Sequence, residues 1–171
     1  MASNAPTTPV NADEVGYVQR IDFERLERIA NKVGGRLRLA IRTGDFLHPK
    51  VPIAYWSDDD DLDDLRDDDI RETLTLGGMR TPGQDLHFLM DELVEIGLRA
   101  LSPGINDPFT AITAVHWLGA ATAELGRRDL VHKFAEGEDS DDQRVALRND
   151  DFVHFVSRGF GTIRSAVATS P

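Results

Sequence analysis

Residues 16–42 read GYVQRIDFERLERIANKVGGRLRLAIR, and three different periodicities follow one another within them. GYVQRI mixes β-branched and aromatic residues as a short strand does. Asp22 stands at the N-cap position, and Phe23, Leu26, Ile29, Ala30 and Val33 then recur at three-and-four spacing, which predicts an amphipathic helix over 23–33. Gly34-Gly35 ends it, because glycine adopts the left-handed conformation at a helix terminus without a Cβ penalty. RLRLAIR alternates strictly. Leu37, Leu39 and Ile41 share one face and Arg36, Arg38 and Arg42 the other, the period of a half-buried strand. A strand, a helix and a second strand in succession make the fold class α+β.

Working outward, Thr43-Gly44-Asp45 is a turn, and residues 51–56 form another short strand, with Pro52 directing it toward a sheet edge. RETLTLGG (71–78) reads as a strand and turn. Between them lies SDDDDLDDLRDDD (57–69), for which three readings compete. It is a solvated segment turning Leu62, Leu65 and Ile70 inward, a calcium site, or a docking strip for a basic partner. An EF-hand loop needs Gly at its sixth position and Glu at its twelfth. Counting from Asp58, these are Asp63 and Asp69, so that template fails. Residues 16–78 are thus expected to form a β-rich module with one short helix and an acidic segment. Residues 1–15 are expected to be a flexible leader, since MASNAPTTPVNADE has neither the basic nor the apolar region of a signal peptide.

The remainder, 79–171, is predicted to be helical. Leu86, Leu89, Met90, Leu93, Val94, Gly97, Leu98 and Leu101 give an amphipathic helix over 84–101. SPGINDP breaks it. Asn106 or Asp107 then caps a second helix over 108–125, with Pro108 at its first position and Ile112, Val115, Leu118, Gly119 and Thr122 as its stripe. Gly97, Gly119 and several alanines let the two helices approach closely, as an antiparallel hairpin. A polar loop over 136–142 leads to a helix over 150–169, striped by Phe152, Val153, Phe155, Val156, Phe160, Ile163 and Val167, within which Gly159 and Gly161 read as packing or kink sites. A chain that begins in a linker and ends on a helix is expected to be a segment of a longer protein.

The formal net charge of -11 argues against nucleic acid as a partner, because phosphate contacts need clustered Lys and Arg. It argues equally against adsorption to anionic lipid. The absence of cysteine excludes disulfides, thiolate metal sites and a Cys nucleophile. No stretch approaches the roughly 18 apolar residues of a membrane span. There is no Gly-rich nucleotide loop, no nucleophile elbow and no kinase signature, so no cofactor is expected and the balance leans away from an enzyme.

His48, His87, His116, His132 and His154 show no zinc spacing, and the metal expectation is none. The best local metal-ligand candidates are Asp85, His87, Asp91, Glu92 and Glu95, with His87 and Asp91 four apart on one helix face. His116, beside Trp117, is expected at a core or an interface. The candidate functional cluster is Arg80, Thr81, Gln84, Asp85, Arg99, Ser102, Asn106 and Asp107, gathered at the ends of the helical hairpin. Helix length separates the first four from the last four by roughly 25 Å. The competing reading is capping, with Thr81 and Asp85 at one helix start, Asn106 and Asp107 at the next, and Arg99 on the C-terminal carbonyls of the first.

GYVQRID, TGDF, RTPGQD and above all RALSPGINDPFTA resemble a family of bacterial predicted membrane proteins, domain of unknown function 2254. The likeness spans about Gly16 to Leu118. It implies several N-terminal transmembrane helices followed by a soluble domain, an inner-membrane parent with this domain on the cytoplasmic side, and no assigned activity. On that footing the chain is expected to be an assembly or regulatory part of a channel- or transporter-like protein, homo-oligomeric through its helical faces and joined to the membrane by a preceding region. The alternatives are a metal-dependent hydrolase and a small-anion sensor using Arg80 or Arg99. Separately, GYVQ with RLAIRTGDFLHPKVPIAYW looks like the half-motif of biotinyl/lipoyl-like barrels, with Lys50 where a second Gly is usual and without the modifiable Lys hairpin.

Overall fold

Asp22 accepts from Arg25 N–H at 3.0 Å and so starts α1 (Phe23–Val33), satisfying one of the donors that a helix N-terminus leaves open. Gly34, at φ +81°, stops it. The computed structural model describes residues 7–57, 67–128, 144–148 and 150–169, and they divide into two compact units. The first comprises 7–85 with 144–148, and the second 86–128 with 150–169.

In the first unit, β1 (Thr7–Asn11), β5 (Pro52–Ser57), β3 (Arg36–Leu39) and β7 (Val145–Ala146) form one sheet in that spatial order. A second sheet has the order β4 (Phe46–Leu47), β2 (Gly16–Ile21), β6 (Leu74–Gly77). The alternation read from the sequence holds: Leu37, Leu39 and Ile41 are buried in one core with Leu26 and Ala30 of α1 and with Val18, Ile21, Ile53, Trp56 and Ile70. Ile70 belongs to the short α2 (Asp67–Arg71). Leu62 and Leu65, expected beside it, lie outside the described residues.

Three expectations are corrected here. Residues 7–12, assigned to a flexible leader, are paired. Thr7 to Asn11 run antiparallel to β5, and Ala12 N–H donates to Val51 O at 2.8 Å. The alternation in TTPVN is too short to register as a strand alone, and the pairing with β5 holds it. Consequently β5 is flanked on both sides rather than at an edge. Pro52 is the first residue of β5, the position within a strand that proline tolerates, and the register shifts at Val10/Asn11 opposite it. Third, within the region expected to be helical, Val145–Ala146 form β7, which pairs in parallel with β3 (Leu37↔Val145, Arg38↔Ala146); the polar loop expected over 136–142 lies outside the described residues. The half-barrel likeness joined GYVQ to the stretch from Arg38 to Trp56. In the structure β2 lies in one sheet and β3 and β5 in the other.

The second unit contains α3 (Leu86–Ala100), α4 (Pro108–Leu125) and α5 (Phe152–Thr169). Residues 101–107 turn the chain tightly, with Asn106 N–H on Ser102 O at 2.9 Å and Asp107 N–H on Ala100 O at 2.8 Å. Asp107 caps α4 and Pro108 opens it, as read from the sequence. Met90, Val94, Leu118, Leu125, Phe155 and Ile163 make the core.

The faces turned inward match the expected stripes in part: Met90, Val94, Gly97, Leu118 and Thr122 are buried, whereas Leu86, Leu89 and Ile112 of those stripes are exposed. On α3 the buried positions are His87, Met90, Val94, Gly97 and Ala100, whereas Leu86, Leu89 and Ile96 are exposed. On α4 small residues, Ala111 and Ala114, are buried with Leu118, Thr122 and Leu125, while Phe109, Ile112 and Trp117 are exposed. The apolar arcs of α3 and α4 are wider than one partner helix covers, so α5 selects the side with the smaller residues. A Cβ on Gly97 would stand 3.6 Å from the Ala114 Cβ, which is the predicted close approach. Nothing lies within 4 Å of a Cβ on Gly119, so Gly119 does not serve it. Gly159 does pack, its Cβ position lying 2.9 Å from Met90 Cε.

Candidate functional site

The eight residues of the sequence-derived cluster fall in different units: 80–85 in the first, 99–107 in the second. In the first set, Asp85 is buried, its side chain 1% exposed, and Arg80 Nε and Nη2 both reach Asp85 Oδ2 at 2.8 Å. Gly44, at φ +88°, leaves room for that carboxylate. A Cβ there would stand 2.1 Å from Asp85 Oδ2. Gln84 mimics a neighbouring strand, its Oε1 accepting from Ile21 N–H at 2.9 Å and its Nε2 donating to Ile21 O at 3.3 Å. Thr43 Oγ1 donates to Gln84 O at 2.8 Å. Thr81 is half-buried. Residues 80–85 therefore clasp the TGD turn to the end of β2, and Asp85 pairs with Arg80.

The second set closes the α3–α4 turn. Arg99 pairs with Glu95 on the surface and not with helix-terminal carbonyls. Ser102 Oγ donates to Arg99 O at 2.7 Å. Asn106 adopts φ +48°, a conformation Asn accepts more readily than most residues. Asp107 accepts from Thr110 N–H at 3.1 Å and from Thr110 Oγ1 at 2.6 Å. These bonds, the hydroxyl's first, hold its carboxyl below the usual value of 3.8. Asn106 and Asp107 thus act in turn and cap, as the competing reading had it.

A third group gathers the chemistry. His87 Nε2 lies 3.1 Å from His154 Nε2 and 3.2 Å from Asp150 Oδ2, and His154 Nε2 lies 3.6 Å from Asp150 Oδ1. His87 is on the first turn of α3. His154 is on the first turn of α5, where Asp151 Oδ1 accepts from its backbone N–H at 2.7 Å and fixes that turn. Phe155 stacks on the His87 ring, centroids 5.0 Å apart and planes 21° from parallel. Beside them Arg158 grips Asp91 through two 2.7 Å bonds. Such a bidentate fork consumes the carboxylate.

Of the metal-ligand residues proposed from the sequence, Asp85 is tied to Arg80, Asp91 to Arg158 and Glu95 to Arg99. Glu92 is exposed. His87 instead joins Asp150 and His154, which sequence spacing within α3 did not supply. The available signal was the four-residue interval from Asp150 to His154 at a helix start. His116 and Trp117 are exposed rather than core.

Residues 1–171 match the family model described as Predicted membrane protein (DUF2254). Over 130 residues the chain is 30% identical to an uncharacterized protein of Mycobacterium bovis and to uncharacterized proteins of two Mycobacterium tuberculosis strains, covering 74% of this chain and 25% of each relative. The chain thus spans about a quarter of the length of the curated relatives it matches. No solved structure matches it significantly. Among the described residues no helix is long and apolar enough to cross a membrane. The match along the whole length places the chain in the DUF2254 family of predicted membrane proteins.

Proposed function

We propose that this chain is an extramembrane assembly domain of a bacterial inner-membrane protein, lying on the cytoplasmic side and associating with a second copy of itself. The observation that carries the reading is the outer side of the α3–α4 hairpin. At about 100° per residue, Leu89 and Ile96 fall on the flank of α3 opposite His87 and Asp91, and Ile112 falls opposite Ala114 on α4. Leu89 and Ile96 are each 46% exposed, Ile112 50% and Phe109 80%. A helix apolar around its circumference, as α4 is, is normally covered on all sides, which points to a partner over the exposed Phe109 and Ile112. The membrane parent is supported by the family, and the extramembrane position by the lack of a spanning helix among the described residues.

The anion-sensor reading loses support because Arg80 and Arg99 each already pair with a carboxylate. Light scattering over a concentration series tests the proposal. The 171-residue chain is expected to associate, and Ile112→Asp to shift it to monomer with an unchanged circular dichroism spectrum. A strict monomer at all concentrations, with the full-length protein also failing to associate, overturns it.

A further inference from the structure

We infer that His87, Asp150 and His154 form a binding site for a divalent transition-metal ion of the zinc class. Three electron-pair donors from two helix starts converge here. The two imidazole Nε2 atoms are 3.1 Å apart, and the two carboxylate oxygens stand 3.2 and 3.6 Å from them. A tetrahedral zinc ion with bonds of about 2.0–2.1 Å holds its ligand atoms roughly 3.3 Å apart, close to the 3.1 Å between the imidazoles and the 3.2 Å from His87 Nε2 to Asp150 Oδ2.

Hydrogen bonding accounts for the convergence less well. If His154 donates to His87 Nε2, the lone pair of His87 Nε2 is spent and Asp150 Oδ2 is left facing a nitrogen without a proton. If His87 donates instead, its one proton is divided between two acceptors, and the lone pair of His154 opposes the carboxylate. A cation at the centre satisfies all three groups, with each imidazole carrying its proton on Nδ1.

Two neutral imidazoles and one carboxylate suit zinc and its first-row neighbours rather than calcium or magnesium, which favour all-oxygen sets. The ligands are also held in place. Asp151 caps the turn that presents His154, and Phe155 stacks on His87. The side chains of His87 and Asp150 are 9% and 14% exposed and that of His154 36%, so the site opens to solvent on the His154 side. Three protein donors with an open side are the arrangement that leaves a position for water or a small ligand.

The test uses the 171-residue chain stripped with chelator and titrated with Zn2+. One ion per chain is expected, not displaced by excess Ca2+, and Co2+ in its place should give the strong visible absorption of a tetrahedral site. His154→Gln and Asp150→Asn should each weaken Zn2+ at least about tenfold, since loss of even an outer-shell partner typically weakens binding 10–100-fold. Glu92→Gln, on the exposed face of α3, should bind as the parent does. Should either site variant fail to fold, 15N NMR of the unaltered chain decides, through Zn2+-induced shifts at Nε2 of His87 and His154. Absence of Zn2+ binding, displacement by Ca2+, unchanged affinity in both variants, or shifts confined to other histidines would overturn the assignment.

Discussion

Truncating Arg80 should destabilise the protein more than truncating Asp85, although both remove the same contact. The two partners differ in burial: the Asp85 side chain is 1% exposed and that of Arg80 22%. Arg80→Ala leaves a buried carboxylate without its cation. Breaking a buried pair in this way costs about 3–5 kcal/mol, and because Asp85 keeps further interactions the lower figure applies, about 3 kcal/mol. Asp85→Ala strands a guanidinium that already reaches water. Its cost is that of hydrogen bonds to a charged group, about 1.5 kcal/mol. The double variant should fall near Asp85→Ala alone, giving a coupling energy of about 3 kcal/mol.

The assay follows Trp56, buried in the first unit, by fluorescence during thermal unfolding. The second of the two tryptophans, exposed Trp117, is replaced by Phe in all variants. At about 2–4 °C per kcal/mol for a chain of this size, Arg80→Ala should melt roughly 6–12 °C below the parent. If Asp85→Ala costs as much as Arg80→Ala, or the two effects simply add, the reasoning from asymmetric burial is wrong.

Gly97 separates two opposite effects. Its Cβ position lies 3.4 Å from Ile163 Cδ1 and 3.6 Å from Ala114 Cβ, so Gly97→Ala fits and should gain up to about 1 kcal/mol in helix propensity. Gly97→Leu overpacks the three-helix core and should cost about 1–3 kcal/mol. Melting curves that fall equally for both would contradict this. At the start of α4, Thr110 lowers the pKa of Asp107 from 3.8. The sign follows from linkage: this stabilisation is fully present above the unfolded value and is lost as pH falls through the lower folded one. An NMR titration of the Asp107 carboxyl with its midpoint at or above 3.8 would refute the capping role, and Asp107→Asn should remove this acid dependence of α4.

What the sequence alone determined here is local. The spacing of Leu26 and Ala30, the Asp22 and Asp107 caps, the Gly34 stop and the alternation of Leu37, Leu39 and Ile41 each depend on residues within a turn or a strand of one another. Each of these reappears in the structure. Tertiary structure decided everything that requires partners far apart in the chain. β1 became a strand by pairing with β5, and a two-residue β7 was added to β3, an interaction carrying no periodicity. Packing also chose between the apolar sides of α3 and α4, burying Ala111, Ala114 and Gly97 because small residues admit a helix closely, and leaving Ile112 and Leu89 outside. The His87, Asp150 and His154 group arose in the same way. Its members are ordinary on their own helices, and the approach of the α5 start to the α3 start, set by contacts such as Gly159 against Met90, is what gives them a common centre.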